Sequence, residues 1–197
     1  MKSSILRAGV VTLACALGLS ACGGGDGDLY LYGSVSGVTK DGLVLKNGGN
    51  TVAVTAPYTS FQFEQRVSTD DAFDITYSAL PSNVKTCVVN NGKARANYYT
   101  IAQITVVCEI KKHEFSVAVR GLTGTGLVIV NGSDRRDVAP GATSVAMTPV
   151  YEDGPYGVTV LTQPAGQVCS VTGGTNGKGA GTMGATDLVD NVVVTCV

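Results

Sequence analysis

The sequence predicts an all-β protein made of two tandem β-sandwich domains, and three observations carry this prediction. Charged residues make up 15% of the 197 residues and glycine occurs 26 times, which favours short strands joined by tight turns over a helix bundle. The second half of the chain repeats the first half. Each half contains about seven short strand-like runs with regularly spaced turns, a pattern typical of sandwiches.

The charge and composition exclude or disfavour several function classes. The formal net charge is −1, whereas a nucleic-acid-binding protein needs a basic face to neutralise phosphates. The chain has one histidine and no tryptophan, so it offers few pairs of nucleophile and base. We therefore expect no nucleic-acid partner, and no enzymatic activity.

Residues 1–21 have the pattern of an export signal. Lys2 and Arg7 precede an apolar stretch, 8–19, that is too short to span a bilayer. The following residues, 19–22, read Leu-Ser-Ala-Cys and resemble a bacterial lipobox, which implies that Cys22 is acylated and becomes the mature N-terminus. Two alternatives exist for the same stretch, namely an ordinary cleaved signal and a lipobox that ends at Cys15.

Residues 22–28 are predicted to form the lipidated flexible tether, because they are rich in glycine and contain almost no apolar side chain. Attachment through at least two acyl chains is stable. Gly23 follows the lipidated cysteine, and in the lipobox pattern this favours the outer membrane. Whether the protein would face the periplasm or the cell surface stays open.

The repeat divides the remaining chain into domains at 29–110 and 111–197. Residues 37–48 read GVTKDGLVLKNG and residues 121–132 read GLTGTGLVIVNG. Pro81 and Cys87 recur as Pro164 and Cys169, and the halves close with TVVC and VVTC. Asn-Gly pairs at 47–48 and 131–132 predict hairpins with positive φ at both turn positions. The predicted strands are 29–35, 43–46, 51–55, 60–66, 72–78, 85–89 and 100–107, then 114–120, 127–130, 136–138, 144–147, 156–161, 167–171 and 191–196.

Two motifs carry a resemblance to the tandem Ig-like repeats of uncharacterised Gram-negative lipoproteins. They are GLTGTGLV at 121–128 and QPAGQVC at 163–169, the latter together with Cys196. The first half departs from the pattern at Lys40-Asp41 and has one more residue before its cysteine. The resemblance implies two Ig-like β-sandwiches and supplies no catalytic residues.

The cysteines predict two disulfides. Six are present, of which Cys15 leaves with the signal and Cys22 takes the lipid. The remaining four allow three pairings, and the repeat selects Cys87–Cys108 and Cys169–Cys196. A zinc site is the alternative, but the spacing contains no CxxC and no paired histidine. We expect neither a metal nor a cofactor.

Other chemistry-bearing residues predict no site. His113 lies in a polar run between the domains and is expected to be an exposed linker residue. The glycine-rich segment 173–184 fails the P-loop pattern and is expected to be a flexible loop. Asp70, Asp71 and Asp74 lack the regular spacing of a calcium loop and are expected to be solvated.

The function expected from these residues is that of a non-enzymatic envelope lipoprotein, a structural or protein-interaction module displayed from the membrane. The alternative is a lipoprotein that binds a glycan or cell-wall ligand through loops at the end of a sandwich. The candidate partner loops are 90–97 and 173–186, each lying between the two cysteines of one disulfide. Their candidate contact residues are Asn90, Asn91, Lys93, Asn176 and Lys178.

Overall fold

The computed structural model describes residues 28–197. The predicted signal peptide, the Cys15 alternative, the lipidation site Cys22 and all of the tether except Asp28 lie outside these residues. Within these residues strands account for 61% and helix for 2%, which confirms the all-β sandwich prediction. The strands form four small sheets.

The first half of the described chain folds into two four-stranded sheets that pack face to face. One sheet has the order β4-β1-β8-β6, and the other has the order β3-β2-β5-β7. Their buried side chains, such as Leu31 and Val106 from one sheet and Leu43 and Ile75 from the other, form a single core. The elements are β1 (Leu29–Ser36), β2 (Leu43–Asn47), β3 (Asn50–Val54), β4 (Ser60–Val67), β5 (Ala72–Ala79), β6 (Val84–Asn90), β7 (Lys93–Arg95), α1 (Tyr98–Ile101) and β8 (Thr105–Ile110).

The second half repeats this arrangement around a separate core that includes Phe115, Ile129 and Val194. Its sheets have the orders β12-β9-β16-β14 and β11-β10-β13-β15. In both halves the first strand pairs in parallel with the last. Lys111 alone separates β8 from β9. The elements are β9 (Lys112–Arg120), β10 (Leu127–Asn131), β11 (Asp134–Val138), β12 (Ser144–Tyr151), β13 (Pro155–Thr162), β14 (Cys169–Gly173), β15 (Ala180–Thr182) and β16 (Leu188–Cys196).

Both predicted Asn-Gly hairpins are present, as β2–β3 and β10–β11. Positive φ falls on Gly48 and Gly132 and not on the asparagines, so the prediction for both turn positions was wrong. The side chain of each asparagine accepts a hydrogen bond instead. Asn47 Oδ1 accepts a hydrogen bond from Asp74 N at 2.9 Å, and Asn131 Oδ1 accepts one from Gly157 N at 2.8 Å. These side chains tie each hairpin to the next strand of its sheet.

Each half contains eight strands, one more than predicted. The additional strands, β7 and β15, lie in the segments between the paired cysteines and complete the second sheet of each half by pairing with β5 and β13. The expectation of a flexible loop over 173–184 was therefore wrong. Its glycines permit close packing, since a Cβ on Gly181 would lie 1.8 Å from Thr175 Oγ1 and 2.6 Å from the Tyr156 hydroxyl.

The predicted strand 100–107 was wrong in its first residues, which belong to the short helix α1. Asn97 is the reason, because its side-chain oxygen accepts hydrogen bonds from the backbone N–H groups of Tyr99 and Thr100. The Thr100 hydroxyl accepts from Asn97 N in return, which completes a capping box. Local capping here overrides the β propensity of the sequence.

The two predicted disulfides are confirmed. Cys87 pairs with Cys108 and Cys169 pairs with Cys196, with Cα–Cα distances of 4.0 and 3.9 Å. In each half the bond joins directly opposite residues of the edge strand and the last strand. Each disulfide therefore closes the segment that crosses to the other sheet and returns.

Removing one disulfide should destabilise its own half. The closed loops span sequence separations of 21 and 27 residues, so each bond is expected to contribute about 3 kcal/mol by restricting the unfolded chain. Urea unfolding followed by NMR gives a free energy of unfolding for each half. Cys169→Ala/Cys196→Ala should lower this free energy in the second half only, and Cys87→Ala/Cys108→Ala should lower it in the first half only. An equal loss in both halves from either pair would contradict two separate cores.

Candidate functional site

The two halves meet at a junction built largely from polar groups. Lys111, the single residue between β8 and β9, donates its N–H to Asn83 O at 2.9 Å and accepts from Glu152 N through its carbonyl, also at 2.9 Å. Its ammonium group donates to Ser82 O at 2.6 Å. The backbone that connects the halves is therefore bonded to the β5–β6 connection of one half and to the β12–β13 turn of the other.

Asp153 forms the side-chain contact across this junction. It is the left-handed residue of the β12–β13 turn, with φ of 65°. Its carboxylate lies 2.8 Å from Lys40 Nζ and accepts a hydrogen bond from Asn83 Nδ2 at 3.0 Å. The hydrogen bond from Lys40 is the main cause that lowers the pKa of Asp153 below its ordinary value of 3.8. One carboxylate thus binds two elements of the first half.

Asn83 is completely buried at the junction. Its amide nitrogen donates to Thr39 Oγ1 at 2.9 Å as well as to Asp153, so both donors are used. Its amide oxygen has no hydrogen-bond partner among residues 28–197. A buried amide whose donors point to both halves fixes their relative position, because losing one acceptor would leave a buried donor unpaired.

His113 is not the exposed linker residue that the sequence suggested. Its side chain is only 12% exposed, and Nε2 lies 3.2 Å from the Glu152 carboxylate, which is itself buried. Nδ1 faces Asp187 Oδ1 at 3.7 Å. Because β9 begins at Lys112 and pairs with β12, the strand register holds His113 beside the turn that carries Glu152. The imidazole supplies the polar partner that a buried carboxylate needs.

A cleft of about 790 Å³ opens beside this junction. Its floor is the outer face of β6 and β8, and its wall is the β12–β13 turn. The most exposed apolar groups in it are Val88, Val107 and Tyr151, which are 56%, 49% and 50% exposed. The lining residues are Gly37, Thr39, Thr86, Val88, Asn90, Val107, Cys108, Glu109, Ile110, Tyr151, Glu152, Asp153 and Gly154.

The repeat shows that the apolar floor is particular to the first half. Val88 and Val107 lie directly opposite each other, next to the disulfide. At the corresponding place beside the second disulfide, Ser170 lies opposite Thr195. The same fold therefore accepts a polar pair at this surface, and core packing does not explain the two exposed valines.

The five predicted contact residues do not form one site. Asn90 lines the cleft, and its Nδ2 donates to Thr105 Oγ1 at 3.2 Å. Asn91 donates to Gln103 O, and Lys93 pairs with Asp74 at 2.7 Å, both within the first half. In the second half, Asn176 accepts from Lys178 N and Ala180 N and so shapes its own loop. No local sequence pattern indicated Val88, Val107 or Tyr151 as site residues; for the two valines, the signal in the sequence is that the second half has Ser170 and Thr195 instead.

The two predicted partner loops are also less replaceable than expected. Each contains a strand of the second sheet and a buried residue, Ala96 in the first half and Met183 in the second. The backbones of Ala96 and Met183 make equivalent hydrogen bonds to the turns that contain Asp70 and Asp153. These segments are structural parts of the sandwich, so exchanging them for short Gly-Ser turns would remove core contacts.

Within residues 28–197 no group of three or more His, Cys, Asp or Glu side chains is close enough to hold a metal ion. No helix in the same range is long and apolar enough to cross a membrane. No family model matches the chain, and no curated protein is significantly similar to it. The assignment of function therefore depends on the residues themselves.

Acid should loosen the junction through Asp153. Since its pKa is lowered in the folded protein, the ionised carboxylate contributes stability above pH 3.8, and this contribution is lost as the pH falls through the folded value. Residual dipolar couplings should fit one common alignment of both halves at about pH 6, and two independent alignments once the pH has fallen below 3.8 far enough to protonate the folded carboxylate.

Asp153→Asn should give the two independent alignments already at neutral pH. Asp70→Asn is the matched control, because Asp70 holds the equivalent left-handed turn position of the first half and faces no partner half. A common alignment in Asp153→Asn would show that the ion pair does not hold the halves together.

Proposed function

We propose that the protein is a lipid-anchored, non-enzymatic lipoprotein of the bacterial outer membrane that displays two β-sandwiches as an interaction module. The sequence Leu-Ser-Ala-Cys at 19–22 supports the anchor, and the glycine-rich residues that follow support a tether. The first strand begins at Leu29, only seven residues after Cys22. This spacing suits a folded body held close to the membrane surface.

The interaction surface that we propose is the junction cleft. The exposed Val88–Val107 pair carries this proposal, because the equivalent pair in the second half is polar. Tyr151 adds an amphipathic ring at the wall, and aromatic side chains are enriched at protein interfaces. A partner that covers these three groups would remove apolar surface from water, which favours binding.

The surroundings of His113 support a structural role. One ring nitrogen faces the buried Glu152 carboxylate and the other faces Asp187. Within residues 28–197 both ring nitrogens face carboxylates, and no hydroxyl or thiol nucleophile is hydrogen-bonded to either one. The nearest serine on the same strand, Ser116, is bonded to Asp190. We therefore propose no turnover of a small molecule.

A second candidate function is the binding of a glycan or cell-wall fragment in the same cleft. One observation favours it, namely that the concave cleft is lined by Tyr151 together with polar side chains such as Thr39, Asn90 and Glu109. Rings of this kind stack on sugars, while the neighbouring polar groups would bind hydroxyls. The valine floor argues for a more apolar occupant, so we place the protein partner first.

The anchor can be tested on the mature protein. We expect intact-mass and peptide spectrometry of protein purified from membranes to show Cys22 as the first residue, carrying acyl chains. A Cys22→Ala variant should fail to be processed at this position. A mature chain that begins elsewhere and has a free Cys22 thiol would contradict the proposal.

The cleft can be tested by giving the first half the polar pair of the second. The partner is cross-linked to the protein in the cell and recovered with it from membranes. With Val88→Ser/Val107→Thr we expect the recovery of the partner to fall about tenfold, because burial of two valines is lost. Leu161→Ser is the control, since Leu161 is an exposed apolar residue outside the cleft. Equal recovery by the cleft variant would exclude this surface as the interface.

Solution NMR separates the two candidate functions. Addition of peptidoglycan fragments should shift resonances around Tyr151 if the ligand is a glycan, and should leave them unchanged if the occupant is a protein. Saturable shifts that disappear in Tyr151→Ala would make glycan binding, rather than protein binding, the preferred function of the cleft.

A further inference from the structure

The first half exposes two adjacent tyrosines at the end where the chain enters the fold. Tyr98 and Tyr99 of α1 are 75% and 83% exposed, and neither hydroxyl has a hydrogen-bond partner within residues 28–197. The helix itself is firmly held, because Asn97 caps it and Ile101 is buried in the core. The structure therefore presents both phenol rings outward from a fixed base.

The position of α1 follows from the strand pairing. Leu29, the first residue of β1, lies opposite Val67, the last residue of β4. The turn that follows is bonded to Ala96, because Asp70 N donates to Ala96 O and Ala96 N donates to Asp71 O. Helix α1 begins two residues later and packs on β1. The tyrosines are thus at the same end of the sandwich as Leu29.

The repeat shows that this aromatic helix is an addition to the first half. Met183 holds the position of Ala96, with equivalent bonds to Asp153 and Gly154. After Met183 the chain continues as Gly184-Ala185-Thr186 and contains neither a helix nor an aromatic residue. At this end of the second half, Asp153 binds the first half. The equivalent end of the first half has no further sandwich beneath it among the described residues and bears the tyrosines instead.

We propose that Tyr98 and Tyr99 contact the headgroup region of the bilayer to which the protein is anchored. This inference rests on the proposed lipid anchor at Cys22. Six residues lie between Cys22 and Leu29, and the seven Cα–Cα steps of a fully extended chain span at most about 25 Å. The tyrosine end of the sandwich is therefore confined near the membrane surface. Tyrosine is favoured there, because its ring enters the apolar boundary while its hydroxyl stays hydrated.

The charges at this end indicate that the contact does not need anionic lipid. Arg66 stacks on the Tyr30 ring, and Arg95 donates to the Asp70 carbonyl. Lys93 is paired with Asp74. Acidic residues lie at this end as well, since Asp70 and Asp71 belong to the turn that is bonded to Ala96 and Asp28 directly precedes Leu29. Because this end carries both positive and negative charges, the aromatic rings and the tether determine the membrane contact. A zwitterionic bilayer is therefore enough for the contact to form.

The test uses the full lipidated protein carrying 3-fluorotyrosine, in phosphatidylcholine nanodiscs that contain a lipid with a nitroxide on its headgroup. Tyrosine-to-phenylalanine variants assign the fluorine resonances. We expect the nitroxide to abolish the Tyr98 and Tyr99 signals and chemical reduction of the nitroxide to restore them. Tyr58 is the matched control, because it is 67% exposed but lies in the β3–β4 turn, at the opposite end of β1.

The outcomes separate this inference from the proposed function. If mass spectrometry shows acylated Cys22 and the Tyr98 and Tyr99 signals persist as strongly as that of Tyr58, the membrane contact is refuted while the anchor stands. If Cys22 carries no lipid, the anchor fails and the contact fails with it. Loss of the Tyr58 signal together with the other two would also refute the contact, because it would indicate no preferred orientation.

Discussion

The disulfide between the edge strand and the last strand of each half is the constraint on which the rest of the structure depends. Between its two cysteines the chain leaves one sheet, adds a short strand to the other sheet and returns. The bond fixes both ends of this crossing segment, so that a segment with few apolar residues can cover a small core. The same crossing segment carries α1 in the first half and the glycine-rich loop in the second. The cleft floor lies on the outer side of the first disulfide-bonded strand pair.

The two sandwiches have equivalent ends that make different contacts. In the second half, the turn with Asp153 binds Lys40 and Asn83 and joins the halves. In the first half, the turn with Asp70 makes no such contact within residues 28–197 and lies beside the exposed tyrosines of α1. The side surfaces have diverged as well, since a valine pair in one half corresponds to serine and threonine in the other. Differences between the repeats therefore locate the surfaces that core packing does not explain.

Much of the fold could be predicted from the sequence, because its signals are local. Alternating residues, Asn-Gly turns and the recurring cysteines indicated the strands, the hairpins and the disulfide pairing. The short strands β7 and β15 could not be predicted, because three residues carry no periodicity and their pairing is long-range. Helix α1 was missed because one asparagine cap outweighs the β propensity of the residues after it. The burial of His113 arises from Glu152 and Asp187, which are distant from it in the sequence of the second half. The cleft forms where the two halves meet. No local pattern encodes either arrangement.

The proposed anchor and tyrosine contact together place the first sandwich against the headgroups of the bilayer and hold the junction cleft above them. Neutron reflectometry of the lipidated protein on a supported bilayer, with contrast variation, measures this arrangement directly. We expect a protein layer that begins within the headgroup region, without an intervening layer of solvent. A layer of solvent between bilayer and protein, or a protein layer that washes off the bilayer, would contradict this arrangement.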